Sequence, residues 1–188
     1  MELRYRLTDR IVSTDYGINP LSVSSDKIAV LAWRCAQLLS EAPVGFASPG
    51  RDGADGIVEV YPAGALKVWD FKHRGRYKGG RNAAEKARRQ KQRTRLVTEL
   101  EERAGGGAGW LKWADGARDI CVSDDDALDA VLSALIARAA ATNQTRPPAR
   151  EERKLAAIEG WIHIPEPDSF GRLPWGRAAK PQYGAVHG

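Results

Sequence analysis

The chain has 188 residues, 43% of them hydrophobic and 28% charged, a balance typical of a single soluble globular domain. No stretch approaches the ~18 apolar residues of a membrane helix, and the N-terminus lacks the apolar core of a signal peptide, so we expect no membrane association and a cytoplasmic protein. Both cysteines, Cys35 and Cys121, lie in apolar runs and are expected to be buried hydrophobic side chains rather than a disulfide or metal framework.

The net charge of +5 is unevenly distributed along the chain. Residues 67–95 hold twelve Lys and Arg against two acids, a local balance of +10, which leaves −5 for the remainder. A basic block in an otherwise acidic chain attracts polyanions, nucleic acid above all. The alternative is a solvated helix face, which charge runs often form.

In chain order, residues 1–20 show no hydrophobic period and predict an irregular opening segment. A helix ended by Pro43 is predicted next, because apolar residues recur on one helical face over residues 28–39. We expect that face to pack on a sheet. A surface loop rich in glycine and proline follows at residues 45–56.

Residues 57–61 predict a short strand that is apolar on both faces except for Glu59, and a short helix over residues 63–69 follows it. An isolated buried carboxylate is costly, so Glu59 requires an explanation. One explanation is that Glu59 points to a sheet edge or pairs with an arginine. The other is that it takes part in metal binding or catalysis.

The glycine-rich basic segment 71–80 and a polar helix predicted over residues 82–103 would form a positive surface. Basic side chains interleaved with an aromatic one suit a nucleic-acid strand, because cations contact phosphates and a ring stacks on a base. A flexible lid is the alternative. The residues predicted to bind nucleic acid are Lys72, Arg74, Arg76, Tyr77, Lys78, Arg81 and Arg88.

Residues 119–122 predict a short strand that leads into a helix with an acidic start and a basic end. Ser123 is its expected N-cap, and the carboxylates of Asp126 and Asp129 lie side by side, one turn apart. Acids in a first helical turn commonly serve only as caps that favour the helix dipole. Alternatively, a bound divalent cation offsets the repulsion between the two carboxylates.

A helix over residues 149–159, with Gly160 as its C-cap, precedes an extended segment at 161–165. Residues 166–188 indicate a tail without a core of its own. We therefore predict one domain, residues 1–165, followed by this tail. The order of helices and strands predicts an α/β fold with a mixed sheet flanked by helices.

Ligand sites of α/β sheets lie at the carboxyl ends of strands, where Glu59, Asp126 and Asp129 would converge. Three neighbouring carboxylates favour Mg²⁺ or Mn²⁺. Such a metal site activates water and stabilises the leaving oxygen in phosphodiester cleavage. Glu59, Asp126 and Asp129 are thus candidate metal-binding and catalytic residues, with the basic segment 72–95 holding the phosphate backbone. Arginine pairing or an edge position for Glu59, and helix capping by the two aspartates, stay open as alternatives.

Six short runs occur in order along the chain: Arg6-Leu7-Thr8-Asp9, Pro20-Leu21-Ser22-Val23-Ser24, Glu59-Val60-Tyr61-Pro62, Tyr77-Lys78-Gly79, Asp126-Ala127-Leu128-Asp129-Ala130 and Glu159-Gly160-Trp161-Ile162-His163-Ile164-Pro165. This ordered set resembles the family named domain of unknown function 429, predicted RNase H-like nucleases. The acid-bearing strand and the Asp-x-x-Asp helix start are also similar to Holliday-junction resolvases of the RNase H superfamily. The resemblance implies an RNase H-like fold and the same three carboxylates as metal ligands.

The family opens with a strand that carries an essential-looking Asp and with an Asp-x-Pro-x-Gly-Trp-Pro run. Neither precedes Arg4 in this sequence. The chain thus resembles a truncated family member that lacks the first strands of the sheet. A sheet truncated in this way would have an exposed edge, through which the chain would self-associate.

Two functions of different classes follow from the sequence. The first is a metal-dependent nuclease that hydrolyses phosphodiester bonds of DNA or RNA and is active only if its missing strands are restored. The second is a non-catalytic protein that binds nucleic acid or another partner through the basic segment 67–95. An unstable fragment with no activity is a third outcome.

Overall fold

The structure, a computed structural model, describes residues 5–22, 28–41, 52–53 and 56–174. These residues are mostly helical and include a two-stranded parallel sheet, in agreement with the predicted α/β class. None of the helices described is long and apolar enough to cross a membrane. The described residues divide into two compact units: unit 1 lies within residues 5–60 and 146–164, and unit 2 within residues 61–145 and 165–174.

Unit 1 combines helices with the parallel sheet. Its described elements are α1 (Leu7–Tyr16), α2 (Ala29–Ser40), β1 (Glu59–Val60), α7 (Arg153–Glu159) and β2 (Ile162–His163). Glu59 pairs with Ile162 and Val60 with His163, and α1 packs against both α7 and β2. The predicted strand and C-terminal helix are confirmed but shorter than expected, and Gly160 ends α7 with a positive φ of 97°.

The first helix contradicts the prediction that residues 1–20 are irregular. α1 begins after Arg6, whose backbone N–H donates to the Asp9 carboxylate at 3.0 Å, and ends at Gly17 in the left-handed region. The buried residues of α1 are Thr8, Asp9 and Val12. Because two of these three are polar, α1 lacks the apolar period by which helices are recognised in a sequence.

Helix α2 confirms the predicted helix but not its expected packing on a sheet. No residue of α2 is buried. Leu31, Trp33 and Leu38 are 61%, 71% and 69% exposed. Cys35 is also exposed, so the expectation that it is a buried side chain is wrong, whereas Cys121 is buried as expected.

Unit 2 is built from helices around an aliphatic core. Its described elements are α3 (Pro62–Val68), α4 (Ala83–Arg103), α5 (Ala117–Ser123) and α6 (Asp125–Ala141), with short 3₁₀ turns at Gly106–Ala108 and Ser169–Arg172. α5 packs against both α4 and α6, and α3 packs against α6. The fully buried aliphatic side chains include Leu66, Leu96, Leu100, Leu128, Leu132 and Ile136.

The long polar helix agrees with its prediction almost to the residue. α4 starts after Asn82, whose side chain accepts the Glu85 N–H at 2.9 Å. Leu96, Val97 and Leu100 are each 0% exposed and form its apolar face. Burial of this short apolar face holds an otherwise polar helix on the unit.

The predicted strand at 119–122 is wrong, because these residues belong to α5. Gly116, with φ of 75°, precedes this helix. α5 stops at Asp124, whose carboxylate accepts the N–H groups of Asp126 and Ala127 at 2.8 and 3.2 Å. Asp124 is therefore the N-cap of α6 in place of the predicted Ser123. A short apolar run does not distinguish strand from helix by period.

Part of the predicted tail contributes to the core of unit 2. Phe170 and Leu173 are 2% and 1% exposed. The Phe170 ring contacts Phe71 and Trp69 edge-on at centroid distances of 5.1 and 5.3 Å. Trp69 Nε1 also donates to Ser169 Oγ at 2.8 Å. Residues beyond 165 thus help to hold α3 in place.

Candidate functional site

In unit 1, Arg6 is the centre of a charged cluster, the Arg6 cluster, formed with Asp9, Glu59 and Glu159. The Arg6 guanidinium donates to the two oxygens of Glu59 at 2.7 Å each, and to the two oxygens of Asp9 at 2.9 and 3.1 Å. It also donates to the Glu159 carbonyl at 3.3 Å. Planar bidentate pairing of this kind suits a guanidinium and not an ammonium.

The Arg6 cluster is largely withdrawn from water. The side chains of Arg6, Asp9 and Glu59 are 13%, 0% and 38% exposed. Burial acts to lower the pKa of Arg6, but the hydrogen bonds and negative charges of Glu59 and Asp9 outweigh it, and the pKa is raised. Arg6 therefore stays charged, and Glu59 pairs with an arginine, one of the two explanations that the sequence left open.

The same cluster ties together segments that are distant in the sequence. The Leu7 N–H donates to the Glu159 carboxylate at 2.8 Å, and the Ile162 N–H donates to Thr8 Oγ1 at 2.9 Å. The start of α1 is thereby joined to the end of α7 and to β2. Three of the six ordered motifs meet here, those that contain Arg6, Glu59 and Glu159.

His163 of β2 is 4% exposed and its Nε2 lies 3.0 Å from the Asp52 carbonyl. Burial lowers the pKa of His163, with the Asp52 carbonyl acting in the opposite sense. Gly53, at φ of 87°, approaches so closely that a Cβ there would lie 2.6 Å from His163 Nε2. His163 is thus enclosed by the protein, which is the environment of a structural side chain rather than an accessible base.

In unit 2, Asp129 is the centre of a second cluster, the Asp129 cluster, which includes Tyr77, Lys78, Gly79 and Asp125. Tyr77 Oη donates to one oxygen of Asp129 at 2.7 Å, and the Lys78 ammonium donates to the other. The Gly79 N–H donates to the Asp125 carboxylate at 3.1 Å. The acidic start of α6 therefore holds the basic loop, residues 72–82, which precedes α4.

Arg93 of α4 fixes the same loop from the other side. Its side chain, 7% exposed, donates to the carbonyls of Tyr77, Val122 and Ser123 at 2.9, 2.8 and 2.9 Å. The guanidinium also lies 3.9 Å from Asp125. One buried side chain thus joins α4, the basic loop and the end of α5, so Arg93 is not part of the exposed positive face that the sequence suggested.

Tyr77 differs from the other predicted nucleic-acid-binding residues, because it is only 3% exposed. Burial raises its pKa above the ordinary 10.0, and the hydrogen bond and charge of Asp129 raise it further. Tyr77 is therefore neutral. Its ring is covered by protein and has no face open for stacking on a base.

The other predicted contact residues reach solvent. Lys72, Arg74, Arg76, Lys78, Arg81 and Arg88 are all exposed. The loop that carries most of them is fixed at its start by Glu99, a buried residue of α4, which accepts the backbone N–H groups of Lys72 and His73 at 2.8 and 2.9 Å. The hydrogen bonds to Glu99 fix the backbone of the loop, while its cationic side chains are exposed to solvent.

The family described as "Protein of unknown function (DUF429)" matches residues 1–153, which is more than half of the chain. The chain belongs to the DUF429 family. Neither the curated proteins nor the solved structures contain a match to it. The family resemblance seen in the ordered motifs is therefore confirmed.

The carboxylates predicted to bind Mg²⁺ or Mn²⁺ in this DUF429 protein have other partners. Arg6 takes both oxygens of Glu59, while Tyr77 and Lys78 take those of Asp129, and Asp126 is exposed. In the part of the chain that the structure describes, no three His, Cys, Asp or Glu side chains are grouped to hold a metal. This donor set does not fit a metal ion as it stands.

The predicted site residues are divided between the units. Glu59 belongs to unit 1, and Asp126 and Asp129 belong to unit 2, so their shared metal site stays a prediction. The sequence reasoning missed Arg6, Asp9, Arg93 and Glu99 as organising residues of the DUF429 chain. The Arg-x-x-Asp spacing at the start of a helix was a sequence signal for Arg6 and Asp9. Arg93 and Glu99 lie within a polar helix, where no pattern distinguishes them from exposed charged residues.

We expect Arg6→Ala to destabilise the DUF429 protein by about 3 kcal/mol or more, because it leaves the buried Asp9 carboxylate without its cation. Urea unfolding monitored by tryptophan fluorescence measures this loss. Arg10→Ala is the matched control, since Arg10 is an exposed residue of the same helix, and a change within ~0.5 kcal/mol is expected there. Equal stability of the two variants would show that the Arg6 cluster has no organising role.

We expect the free energy of unfolding to fall as pH rises above about 10, and to fall less steeply in Tyr77→Phe. The folded-state pKa of Tyr77 is raised, so the unfolded chain loses this proton first and alkaline solution favours unfolding. Urea unfolding of both proteins at about pH 8 and about pH 11 checks this. Parallel pH profiles would mean that burial and Asp129 do not raise the pKa of Tyr77 in the folded protein.

Proposed function

We propose that this DUF429 protein binds the phosphate backbone of nucleic acid through a basic surface on unit 2. Exposure of many cations on one loop and one helix carries this proposal. The exposed residues of this basic surface are Lys72, Arg74, Arg76, Lys78, Arg81, Lys86, Arg88, Lys91 and Arg95. A surface of one charge sign attracts a polyanion and releases its counterions.

The cations on α4 form a regular stripe. Arg88, Lys91 and Arg95 follow one another at i, i+3 and i+7, so they lie on one helical face. That face is opposite Val97 and Leu100, which are both buried. The stripe spans roughly 10 Å along the helix axis, which allows several phosphates to be contacted at once.

Few of these charges are neutralised within the protein. Residues 72–95 contain one acid, Glu85, which accepts the Arg81 N–H at 2.9 Å. Lys78 is paired with Asp129, and Arg74 lies 3.4 Å from Asp70. In the portion of the chain with described structure, Arg88, Lys91 and Arg95 form no ion pair. Their charge is available to an external anion, which is what distinguishes a binding surface from an internal salt-bridge network.

We expect binding to a fluorescein-labelled nucleic acid, followed by fluorescence anisotropy, to weaken steeply with salt. Replacing Arg88, Lys91 and Arg95 together by Gln should lower the slope of log affinity against log salt by roughly 3, about one for each lost phosphate contact. Lys154→Gln, an exposed lysine of unit 1, is the control and should leave that slope unchanged. Binding that does not respond to salt would refute this proposal.

A second candidate is metal-dependent phosphodiester hydrolysis by an RNase H-like fold, as the sequence resemblance implied. It is supported by one observation in unit 2. Asp126 is exposed one turn before Asp129, on the same helix start that holds the basic loop. A phosphodiester bound by that loop would lie close to these carboxylates. Asp126 and Asp129 would hold a divalent cation only after Lys78 left Asp129, and such a cation would supply activation of water.

Incubation of the DUF429 protein with labelled DNA or RNA, in Mg²⁺ or Mn²⁺ and in EDTA, tests hydrolysis. We expect cleavage only with metal, and a loss of ~100-fold or more in rate for Asp126→Asn and for Asp129→Asn if they act on the metal. Asp126→Asn changes an exposed side chain, so misfolding does not explain its loss. Asp115→Asn, also exposed, is the control. Equal cleavage by all variants would exclude both residues from the mechanism.

A further inference from the structure

We infer that the nucleic acid recognised by the basic surface is a duplex, contacted through its phosphates, and not a single strand read by stacking. This inference rests on the proposed function and specifies its substrate class. It follows from the burial of aromatic rings, the rigid support of the loop and the arrangement of the cations.

The basic surface lacks the aromatic platforms that single-strand binding uses. Each base stacked on an aromatic side chain contributes about 1–3 kcal/mol of binding free energy, and a single strand offers a protein few other binding features. Among the described residues of unit 2, no Trp, Tyr or Phe is exposed. The buried rings are Trp69, Phe71, Tyr77 and Phe170, and the half-buried ones are Tyr61, Trp110 and Trp113.

Tyr77 is the informative case, because it is the one Trp, Tyr or Phe within the basic loop. Its hydroxyl donates a hydrogen bond to Asp129 at 2.7 Å, and its backbone carbonyl accepts one from Arg93 at 2.9 Å. Turning the ring outward would break the hydrogen bond to Asp129 and expose that buried apolar ring. Stacking of a base on Tyr77 would therefore require the loop to change its conformation.

The cations are carried by a rigid framework. The basic loop is fixed at its start by Glu99, in its middle by Arg93 and at its end by Asp125. Side chains on such a framework suit a phosphate array that is itself rigid, because neither partner loses much freedom on binding. A duplex is such an array, whereas a single strand must be ordered when it binds.

Charge density favours the duplex as well. Double-stranded DNA has one charge per roughly 1.7 Å of axis, twice that of one of its strands. Cations on the loop and on the α4 stripe thus meet more phosphates on a duplex than on a strand. With no stacking energy to compensate, a surface that binds through phosphates alone prefers the denser polyanion.

The test compares three labelled ligands by fluorescence anisotropy with the full chain, at equal salt and equal phosphate concentration. They are a duplex of about 20 base pairs, which is longer than the ~31 Å of α4, one strand of that duplex, and an abasic strand of equal length. We expect the duplex to bind at least ~10-fold more tightly than the strand. The abasic strand should match the base-bearing strand, because bases contribute nothing.

The outcomes separate this inference from the proposed function. Tighter or equal binding of the single strand, or a clear loss of affinity on removing its bases, would overturn the duplex inference while leaving nucleic-acid binding intact. Failure of all three ligands to bind would overturn both. The variant with Gln at positions 88, 91 and 95 should lose more duplex affinity than strand affinity, whereas Lys154→Gln should change neither.

Discussion

A guanidinium that is withdrawn from water must be surrounded by acceptors, and each unit of the chain is arranged around one such group. In unit 1, Arg6 satisfies this requirement with two carboxylates and a carbonyl, which fixes α1 against the residues that flank the sheet. In unit 2, Arg93 satisfies it with three backbone carbonyls. The positions of the basic loop and of the α6 start follow from that second requirement.

The acidic residues that resemble a catalytic set have structural partners, Arg6 for Glu59 and the pair Tyr77 and Lys78 for Asp129. Glu59 and Asp129 each have both carboxylate oxygens bonded by neighbouring side chains. A carboxylate so engaged stabilises the local fold through charge-assisted hydrogen bonds. What remains open to an external molecule is the excess of exposed Lys and Arg, which is why we propose that the protein binds a polyanion.

The sequence predicted those elements whose burial follows a simple period. α4 and α6 have apolar residues at helical spacing with clear caps nearby, and both were located to within a few residues. α1 and α5 were not recognised, since α1 buries polar residues and α5 is too short for its apolar run to show a period. The pairing of Glu59 with an arginine was one of two explanations, and only the fold could reveal that Arg6, fifty-three positions away, is the partner. Tyr77 was predicted to face a bound nucleic acid, but its side chain is buried. A single aromatic residue among cations does not indicate in the sequence whether its ring faces solvent or the core.

The Arg93 contacts have a consequence for how the sequence of this region can change. All three of its acceptors at short distance are main-chain carbonyls, which every amino acid provides. Val122 and Ser123 can therefore be substituted by other residues without loss of the hydrogen bonds to Arg93, provided that the backbone conformation is unchanged. Arg93 has no such freedom, since the compact ammonium of lysine lacks the planar set of donors that reaches three separated oxygens. Among relatives, we accordingly expect substitutions at positions 122 and 123 to be tolerated and substitutions of Arg93 not to be tolerated.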